Sequence, residues 1–204
     1  MVLKQQREKL LQTLSRDIKD ERVLNAIKQV PREEFVPEYL REYAYLDTSF
    51  NIGYGQSISQ PYIVGLMTEL LELKESDIVL DIGGGTGYQA AILSKLCKEV
   101  ISIEIVSELA QSAKERLKRL GFKNVLVIEG DGKDGYLPKS PYDKILCAAV
   151  SDSIPPKWRD QLKDGGIIVL PLYIGNRERL VRARKIESGY SIESITNVRF
   201  VQLV

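Results

Sequence analysis

The sequence predicts an α/β fold with a doubly wound, mostly parallel sheet, N-terminal helices and an antiparallel C-terminal strand pair. From Ile78 onward, short apolar runs alternate with helical segments, as in strands that are joined by helical crossovers. After residue 180, two more strand-like runs follow with no helix between them, which indicates an antiparallel pair. A length of 204 residues suits one domain of this class.

The N-terminal residues have the apolar spacing of helices. Within residues 3–18, leucines and one isoleucine recur at helical intervals, which predicts an amphipathic helix. A second helix is expected from Glu21 to Val30, because the next residue, Pro31, disfavours helical backbone before it. We therefore expect a single domain over residues 1–204, with residues 1–50 forming a helical portion packed on the sheet.

Five apolar runs are candidates for the parallel strands. They are Ile78–Leu80, Val100–Ile103, Val125–Ile128, Lys144–Ala149 and Gly166–Leu170. Between the second and third runs, Leu109, Ala113 and Leu117 mark one helix face, and Gly121 is placed to cap that helix. The antiparallel pair is predicted at Leu180–Ile186 and Val198–Val204, with a turn around Ser188–Gly189.

Composition argues against several classes of function. The 29 basic and 28 acidic residues nearly cancel, whereas a nucleic-acid binder needs a concentrated basic face. Histidine is absent and only two cysteines occur, so imidazole catalysis and a metal-ligand cluster are not expected. We find neither the apolar core of a secretory signal nor an apolar run of membrane-spanning length, and we expect a cytoplasmic setting.

A glycine-rich segment, Asp81–Gly87, lies between the first apolar strand and a helical run at Tyr88–Leu93. Glycine lets the backbone turn tightly and lets a ligand approach where a Cβ would clash. Ligands of such sheets bind outside the carboxyl ends of the strands. Gly85, Gly87 and Ala90 also satisfy the GxGxxA form of a dinucleotide fingerprint, so a nicotinamide dehydrogenase is an alternative.

Acidic residues also end the next two strands. Glu104 could accept hydrogen bonds from ribose hydroxyls, and Asp131 could accept a hydrogen bond from an adenine amino group. The alternatives are an exposed strand-end acid for Glu104 and a turn aspartate for Asp131, since Asp-Gly is a favoured turn pair. Because Asp81, Glu104 and Asp131 end three consecutive strands, we interpret them as parts of one nucleotide site.

Asp81–Gly87, Glu104 and Asp131 resemble the cofactor motifs of class I S-adenosylmethionine methyltransferases. A more specific likeness covers nearly the whole chain. The segments at 30–37, 52–59, 87–91, 141–143 and 198–201 resemble, in order, motifs of the protein-L-isoaspartate O-methyltransferase family. The departures are Ser57 for the family's usual Thr, Gln60-Pro61-Tyr62 for Ala-Pro-His, and Gln202 for the Pro of Val-Pro-Leu.

The resemblance implies a methyl transfer from S-adenosyl-L-methionine, with S-adenosyl-L-homocysteine as product, to the free carboxylate of L-isoaspartyl residues in damaged proteins, which initiates their repair. Ser59 would be the catalytic residue, at the carboxylate. The implied cofactor site holds Ser57, Ile58, Ser59, Asp81, Gly83, Gly85, Thr86, Gly87, Glu104, Asp131 and Gly132. The implied substrate site holds Gln56, Ser59, Tyr62, Val201 and Leu203.

This chemistry suits a chain without histidine. An isoaspartyl α-type carboxyl has a reference pKa of about 3.3–3.7, so it is an anionic nucleophile at neutral pH and needs no general base. We therefore expect a rate of methyl transfer that is nearly flat between about pH 6 and 8. Other partners, namely nucleic acid, a membrane or a metal, are not expected.

The stretch from Thr48 to Thr68 has no charged side chain, in a chain of which 28% is charged. It contains Gly53, Gly55, Ser57 and Ser59. A lysine or arginine at the carboxylate would weaken the nucleophile, whereas neutral donors could orient it, so we interpret the stretch as a substrate-facing loop. A buried connecting loop followed by the start of a helix is the alternative. Other class I methyltransferases acting on a small molecule or RNA, and a non-catalytic cofactor-binding protein, remain alternatives for the whole chain.

Overall fold

The computed structural model describes residues 2–204. Six α-helices are described, with short 3-10 turns between some of them. Their bounds are α1 Val2–Leu14, α2 Glu21–Gln29, α3 Pro61–Leu70, α4 Tyr88–Leu93, α5 Ser107–Arg119 and α6 Pro156–Gln161. Within the described residues no helix is long and apolar enough to cross a membrane.

Both predicted N-terminal helices are confirmed, and local chemistry explains their ends. The Asp20 side chain accepts a hydrogen bond from the Arg22 N–H and so caps the start of α2. The helix ends two residues before Pro31. Leu10 and Leu14 of α1 are buried. Two 3-10 turns, Arg32–Glu34 and Glu38–Tyr43, then lead towards the sheet.

Nine strands lie within residues 2–204 and form two sheets. A small antiparallel hairpin consists of β1 Phe50–Gly53 and β2 Gln56–Ile58. The main sheet contains β3 Ile78–Ile82, β4 Glu99–Glu104, β5 Val125–Glu129, β6 Tyr142–Cys147, β7 Leu162–Ile174, β8 Arg177–Ile186 and β9 Gly189–Asn197. Its order is β5-β4-β3-β6-β7-β8-β9, with parallel pairing as far as β7 and antiparallel pairing beyond it. The predicted doubly wound sheet is confirmed.

The last strand differs from the prediction. The expected strand at Val198–Val204 was wrong, and Gly189–Asn197 pairs with β8 instead, directly after the predicted turn. Residues 198–204 are apolar for another reason: they run over the carboxyl ends of the parallel strands. There the Val150 N–H donates to the Val201 carbonyl oxygen and the Leu203 N–H to that of Val150, both at 2.8 Å.

The main sheet is covered on both faces, which explains its nearly continuous apolar strands. One buried cluster joins Leu14 of α1 and Ile27 of α2 to Val79 of β3 and Val169 of β7. The other cluster contains Trp158 of α6. Since the chain winds outward from β3 in one direction and from β6 in the other, a crevice forms where these two neighbouring strands end.

Candidate active site

The glycine-rich segment turns sharply at the carboxyl end of β3. The Gly83 and Gly84 N–H groups both donate to the Ile103 carbonyl oxygen, at 2.9 and 3.0 Å, which binds the turn to β4. Gly87 has φ 86° and directly precedes α4. A Cβ there would lie 3.0 Å from Leu117 of α5, so both backbone conformation and close packing favour glycine.

Asp81 lies beneath this turn and is fully buried. Its Oδ2 accepts a hydrogen bond of 2.7 Å from the Ser102 hydroxyl. Its Oδ1 has no hydrogen-bond partner among residues 2–204. Burial, with a smaller contribution from the charge of Glu104, raises the pKa of Asp81 to about 7, and the Ser102 hydrogen bond opposes the rise.

Glu104 is also buried, at the end of β4, and holds two backbone segments. Its Oε2 accepts from the Gly85 N–H at 2.7 Å, and its Oε1 accepts from the Val106 N–H at 2.9 Å. A carboxylate offers about four acceptor positions, so two remain for a ligand. The prediction that Glu104 faces the same crevice as the glycine turn agrees with this geometry.

Asp131 and Gly132 follow β5 but differ in their surroundings. The Asp131 side chain accepts from the Lys133 N–H at 2.8 Å and remains 40% exposed. Gly132 is buried against β3, where an added Cβ would lie 2.2 Å from Ile82 Cγ2. The Gly132 carbonyl oxygen accepts from Trp158 Nε1 at 2.8 Å. Asp131 therefore has the local bond of a turn aspartate, while Gly132 lies at the crevice.

The uncharged stretch forms the hairpin β1–β2 and then α3, where a loop was predicted. Ser57 lies within β2, and Ser59 lies between β2 and α3. Ile52 Cδ1 of β1 lies 3.7 Å from the place of a Cβ on Gly85, so the hairpin packs against the glycine turn. The hairpin and the glycine turn together form two walls of one cavity.

This cavity has a volume of about 940 Å³ with its open mouth included. Most predicted site residues line it. They are Gln56, Ser57, Ile58, Ser59, Gly83, Gly85, Thr86, Glu104, Gly132, Val201 and Leu203. Four predicted residues are not among the described residues that line it: Tyr62, Asp81, Gly87 and Asp131. Asp81 lies beneath the glycine turn and Gly87 belongs to it, so both shape the turn without lining the cavity. The Asp131 side chain bonds within its own turn, and the Tyr62 N–H bonds to Asp47.

Comparison with known proteins decides the family. The family model of protein-L-isoaspartate(D-aspartate) O-methyltransferase matches residues 5–204. The chain belongs to this family. Among its relatives is a protein-L-isoaspartate O-methyltransferase of Myxococcus xanthus, 50% identical over 190 residues, with 91% of this chain and 90% of the relative covered. One of Dictyoglomus turgidum is 46% identical and covers 98% of this chain and 91% of its own length.

Solved structures of the family share the fold. A protein-L-isoaspartate O-methyltransferase superimposes with a TM-score of 0.86 at 32% identity, covering 96% of this chain and 65% of that chain. A Plasmodium falciparum beta-aspartate methyltransferase in complex with S-adenosyl-L-homocysteine gives a TM-score of 0.83 at 25% identity, covering 96% and 97%. The likeness extends over both the sheet and the N-terminal helices, as the coverage shows.

Several residues that line the cavity of this family member escaped sequence reasoning. They are Val64, Met67, Ile82, Gly84, Tyr88, Gln89, Ile103, Ile105, Ala148, Ala149, Phe200, Gln202 and Val204. Ala148 and Ala149 follow β6, so their position after a central parallel strand was a usable signal. Phe200 lies in the segment 198–201 that resembles a motif of the family, but this run was interpreted as a strand and only Val201 of the segment was assigned to the site.

Tyr62 differs most from the expectation drawn from the family. It is the second residue of α3, and its N–H donates to Asp47 Oδ1 at 2.8 Å. Burial, followed by the nearby carboxylates of Asp17, Glu69 and Asp47, raises the pKa of the Tyr62 hydroxyl. Tyr62 packs against the buried cluster that includes the N-terminal helices.

Proposed function

We propose that this chain transfers a methyl group from S-adenosyl-L-methionine to the free α-carboxylate of L-isoaspartyl residues in damaged proteins and peptides, which initiates their repair. The observation that carries the proposal is the composition of the cavity wall. Among the described residues that line it, Glu104 is the only one with a charged side chain, and Gln56, Ser57 and Ser59 supply neutral hydrogen-bonding groups. Family membership and the full-length relatives give the same activity.

The residues present fit the cofactor. Two acceptor positions on Glu104 remain free for neighbouring ribose hydroxyls, and the buried Asp81 Oδ1 lacks a partner within residues 2–204. Gly132 lines the cavity and packs so closely on Ile82 that any side chain there would overlap it. When bound, S-adenosyl-L-methionine supplies an electrophilic methyl group. We assign its amino-acid part to Gly83, Gly85, Thr86 and Gly87, with Gly87 acting through the turn.

The neutral wall suits a carboxylate nucleophile. A buried lysine or arginine beside an isoaspartyl carboxylate would stabilise the ion before reaction and so lower its reactivity. Ser59 can donate one hydrogen bond and orient the carboxylate with a smaller penalty. Gln56, Val201 and Leu203 line the same cavity and are assigned to the peptide around the isoaspartyl residue. Holding the two reactants in line is worth several kcal/mol of barrier, roughly 7 or more in well-oriented systems.

Two assignments draw less support from the geometry. Asp131 is 40% exposed and its Oδ1 is bonded within its own turn, so we assign its Oδ2 to the adenine amino group. The Tyr62 N–H donates to Asp47, so we assign Tyr62 to the support of the substrate segment. Asp131 directly precedes Gly132 and Tyr62 follows Ser59 by three residues, and both Gly132 and Ser59 line the cavity.

We further propose that residues 1–204 form one methyltransferase domain with residues 1–50 packed on it. In support, a single buried cluster joins Leu10, Phe35 and Val36 to Val79 and Val169 of the sheet. The cytoplasmic setting stays a prediction from the sequence, as does the absence of nucleic acid, membrane and metal among the partners. Isoaspartyl proteins and peptides are the proposed partners.

The test is a methylation assay with a labelled donor and two peptides that differ only in an L-isoaspartyl or normal L-aspartyl residue. We expect label in the isoaspartyl peptide and background in its match. Equal labelling of both peptides would overturn the repair assignment. Calorimetric titration with S-adenosyl-L-homocysteine and with NAD separates a methyltransferase from a dehydrogenase, since only the first ligand should bind.

A further inference from the structure

The segment that carries Ser59 has no charged residue of its own, yet charged residues from outside hold it. The first is Arg32, which lies in the 3-10 turn after α2 and is completely buried. Its Nη2 donates to the Ser59 carbonyl oxygen at 2.8 Å and to the Thr48 carbonyl oxygen at 3.4 Å. Because Thr48 and Ser59 flank the hairpin β1–β2, one guanidinium joins the two sides of the hairpin base.

Arg32 also contacts the cofactor side of the cavity. Its Cζ lies 4.8 Å from the ring centroid of Tyr88, which is the first residue of α4 after the glycine turn and lines the cavity. Its Nε donates to the Ala44 carbonyl oxygen at 3.0 Å. A planar guanidinium can make these bonds and stack at the same time, which a lysine ammonium cannot. Arg32 therefore connects the hairpin to α4 directly.

The second charged residue is Asp47, which holds the other end of the Ser59 segment. Its Oδ1 accepts from the Tyr62 N–H at 2.8 Å and its Oδ2 from Gln60 Nε2 at 2.9 Å. Residues 60 and 62 thus receive a fixed place at the start of α3. Burial lowers the pKa of Arg32, and Tyr88 and Asp47 act in the opposite direction, so Asp47 lies close enough to stabilise the guanidinium charge.

We propose that Arg32 and Asp47 are positioning residues that fix the Ser59 segment against the glycine turn. This proposal rests on the proposed function, because it assigns Ser59 to the reacting carboxylate. Both charges face the back of the segment and bind its backbone and Gln60, so the cavity wall stays free of basic groups while its geometry is held. A small displacement of a positioned group costs about 100-fold in rate, so turnover should be sensitive to this pair.

The test compares two variants with two matched controls. Arg32→Lys keeps the charge and removes the planar fork, and Asp47→Ala removes both acceptors. Arg159→Lys is the control for the first: Arg159 stacks on Tyr190 at 5.4 Å and donates to the Ile186 carbonyl oxygen at 3.0 Å, at the β8–β9 turn. Asp20→Ala is the control for the second, since Asp20 caps α2.

We expect Arg32→Lys and Asp47→Ala each to lower kcat on the isoaspartyl peptide by about 10-fold or more, where kcat is calculated from the concentration of cofactor-binding sites. The affinity for S-adenosyl-L-homocysteine should change little. Both controls should lower only the melting temperature. A kcat close to wild type in either folded variant, or an equal loss in its control, would overturn the proposal. If Arg32→Lys does not fold, Asp47→Ala decides.

Hydrogen exchange gives a readout that does not depend on the substrate. Amides of residues 48–60 should exchange faster in Arg32→Lys and Asp47→Ala than in wild type, and at the wild-type rate in the two controls. If the wild type fails to methylate isoaspartyl peptides, the proposed function is wrong. The hydrogen-exchange rates of residues 48–60 then test the positioning role by themselves. Unchanged exchange in both variants would then reject it.

Discussion

The two walls of the cavity are held in different ways. The glycine turn follows β3 and is bound to the neighbouring strand β4, through Gly83 and Gly84 on Ile103 and through Gly85 on Glu104. The hairpin wall is bound by Arg32 and Asp47, which lie outside it and reach it through its backbone and Gln60. The cofactor side of the cavity therefore follows from the parallel sheet, whereas the substrate side depends on contacts with the N-terminal portion.

The largest effect on turnover is expected at the hairpin wall. Ser59→Ala removes the hydroxyl assigned to the carboxylate, and kcat should fall by about 10-fold to 100-fold. S-adenosyl-L-homocysteine affinity should change far less, because the glycine turn remains intact. Steady-state kinetics and calorimetry measure the two quantities, and Ser49→Ala, an exposed serine before β1, is the control. Full turnover in Ser59→Ala would assign the orienting role to a backbone amide instead.

At the glycine-turn wall, Gly132→Ala should act on stability and cofactor affinity together. The new Cβ would lie 2.2 Å from Ile82 Cγ2, and relief of such overlap typically costs about 1–3 kcal/mol. Gly130→Ala is a matched control, since its Cβ would meet no atom within 4 Å. Urea unfolding and calorimetry check both effects. Equal stability of the two variants would show that the loop after β5 moves freely.

The Asp81 carboxyl should make stability depend on pH. Its pKa is raised to about 7 in the fold, against about 3.9 in an unfolded chain. The folded state therefore binds the proton more strongly, and its contribution to stability is complete below about pH 4 and is lost as pH rises towards 7. Asp81→Asn lacks this loss, so its stability relative to wild type should be greater at pH 7.5 than at pH 5. Urea unfolding at both pH values measures this, and a constant difference would contradict it.

The smallest effect is expected for Tyr62→His, which restores the residue usual in the family. Tyr62 is not among the described residues that line the cavity, and the bond from its N–H to Asp47 does not depend on the side chain. Turnover and cofactor affinity should therefore stay close to wild type. Kinetics on two isoaspartyl peptides with different flanking residues test this, and a changed preference between them would place Tyr62 in contact with substrate.

Sequence reasoning succeeded where local pattern and sheet geometry agree. Gly121 caps α5 as predicted, with φ 81°, and the parallel strands lie within a few residues of their predicted bounds. Glu104 was placed at the crevice because parallel strands end on the same edge. The prediction of a strand at Val198–Val204 was wrong, because an apolar run that covers the strand ends has the same composition as a strand.

The pKa of Asp81 is the second feature that sequence reasoning missed. The expectation of a flat rate between about pH 6 and 8 rests on a substrate carboxyl that is already ionised and on the absence of histidine. Burial raises the pKa of Cys97 and Cys147 to about 12, which removes both thiols from that range. The same effect brings the Asp81 carboxyl into it. The flat profile stays a prediction, and Asp81→Asn separates the contribution of this carboxyl.

The sequence by itself determined the class of fold, the family and the acids and glycines at the strand ends, because each depends on neighbouring residues and on the repeating strand–helix pattern. Only the tertiary structure decided where the Ser59 segment lies. Arg32 reaches the Ser59 carbonyl across 27 positions of the chain, through a bond to backbone that no pattern of side chains records. Its guanidinium is buried without a bonded carboxylate among residues 2–204. Carbonyl oxygens replace water around Nε and Nη2 and the Tyr88 ring stacks on it, while Nη1 has no hydrogen-bond partner within the same residues.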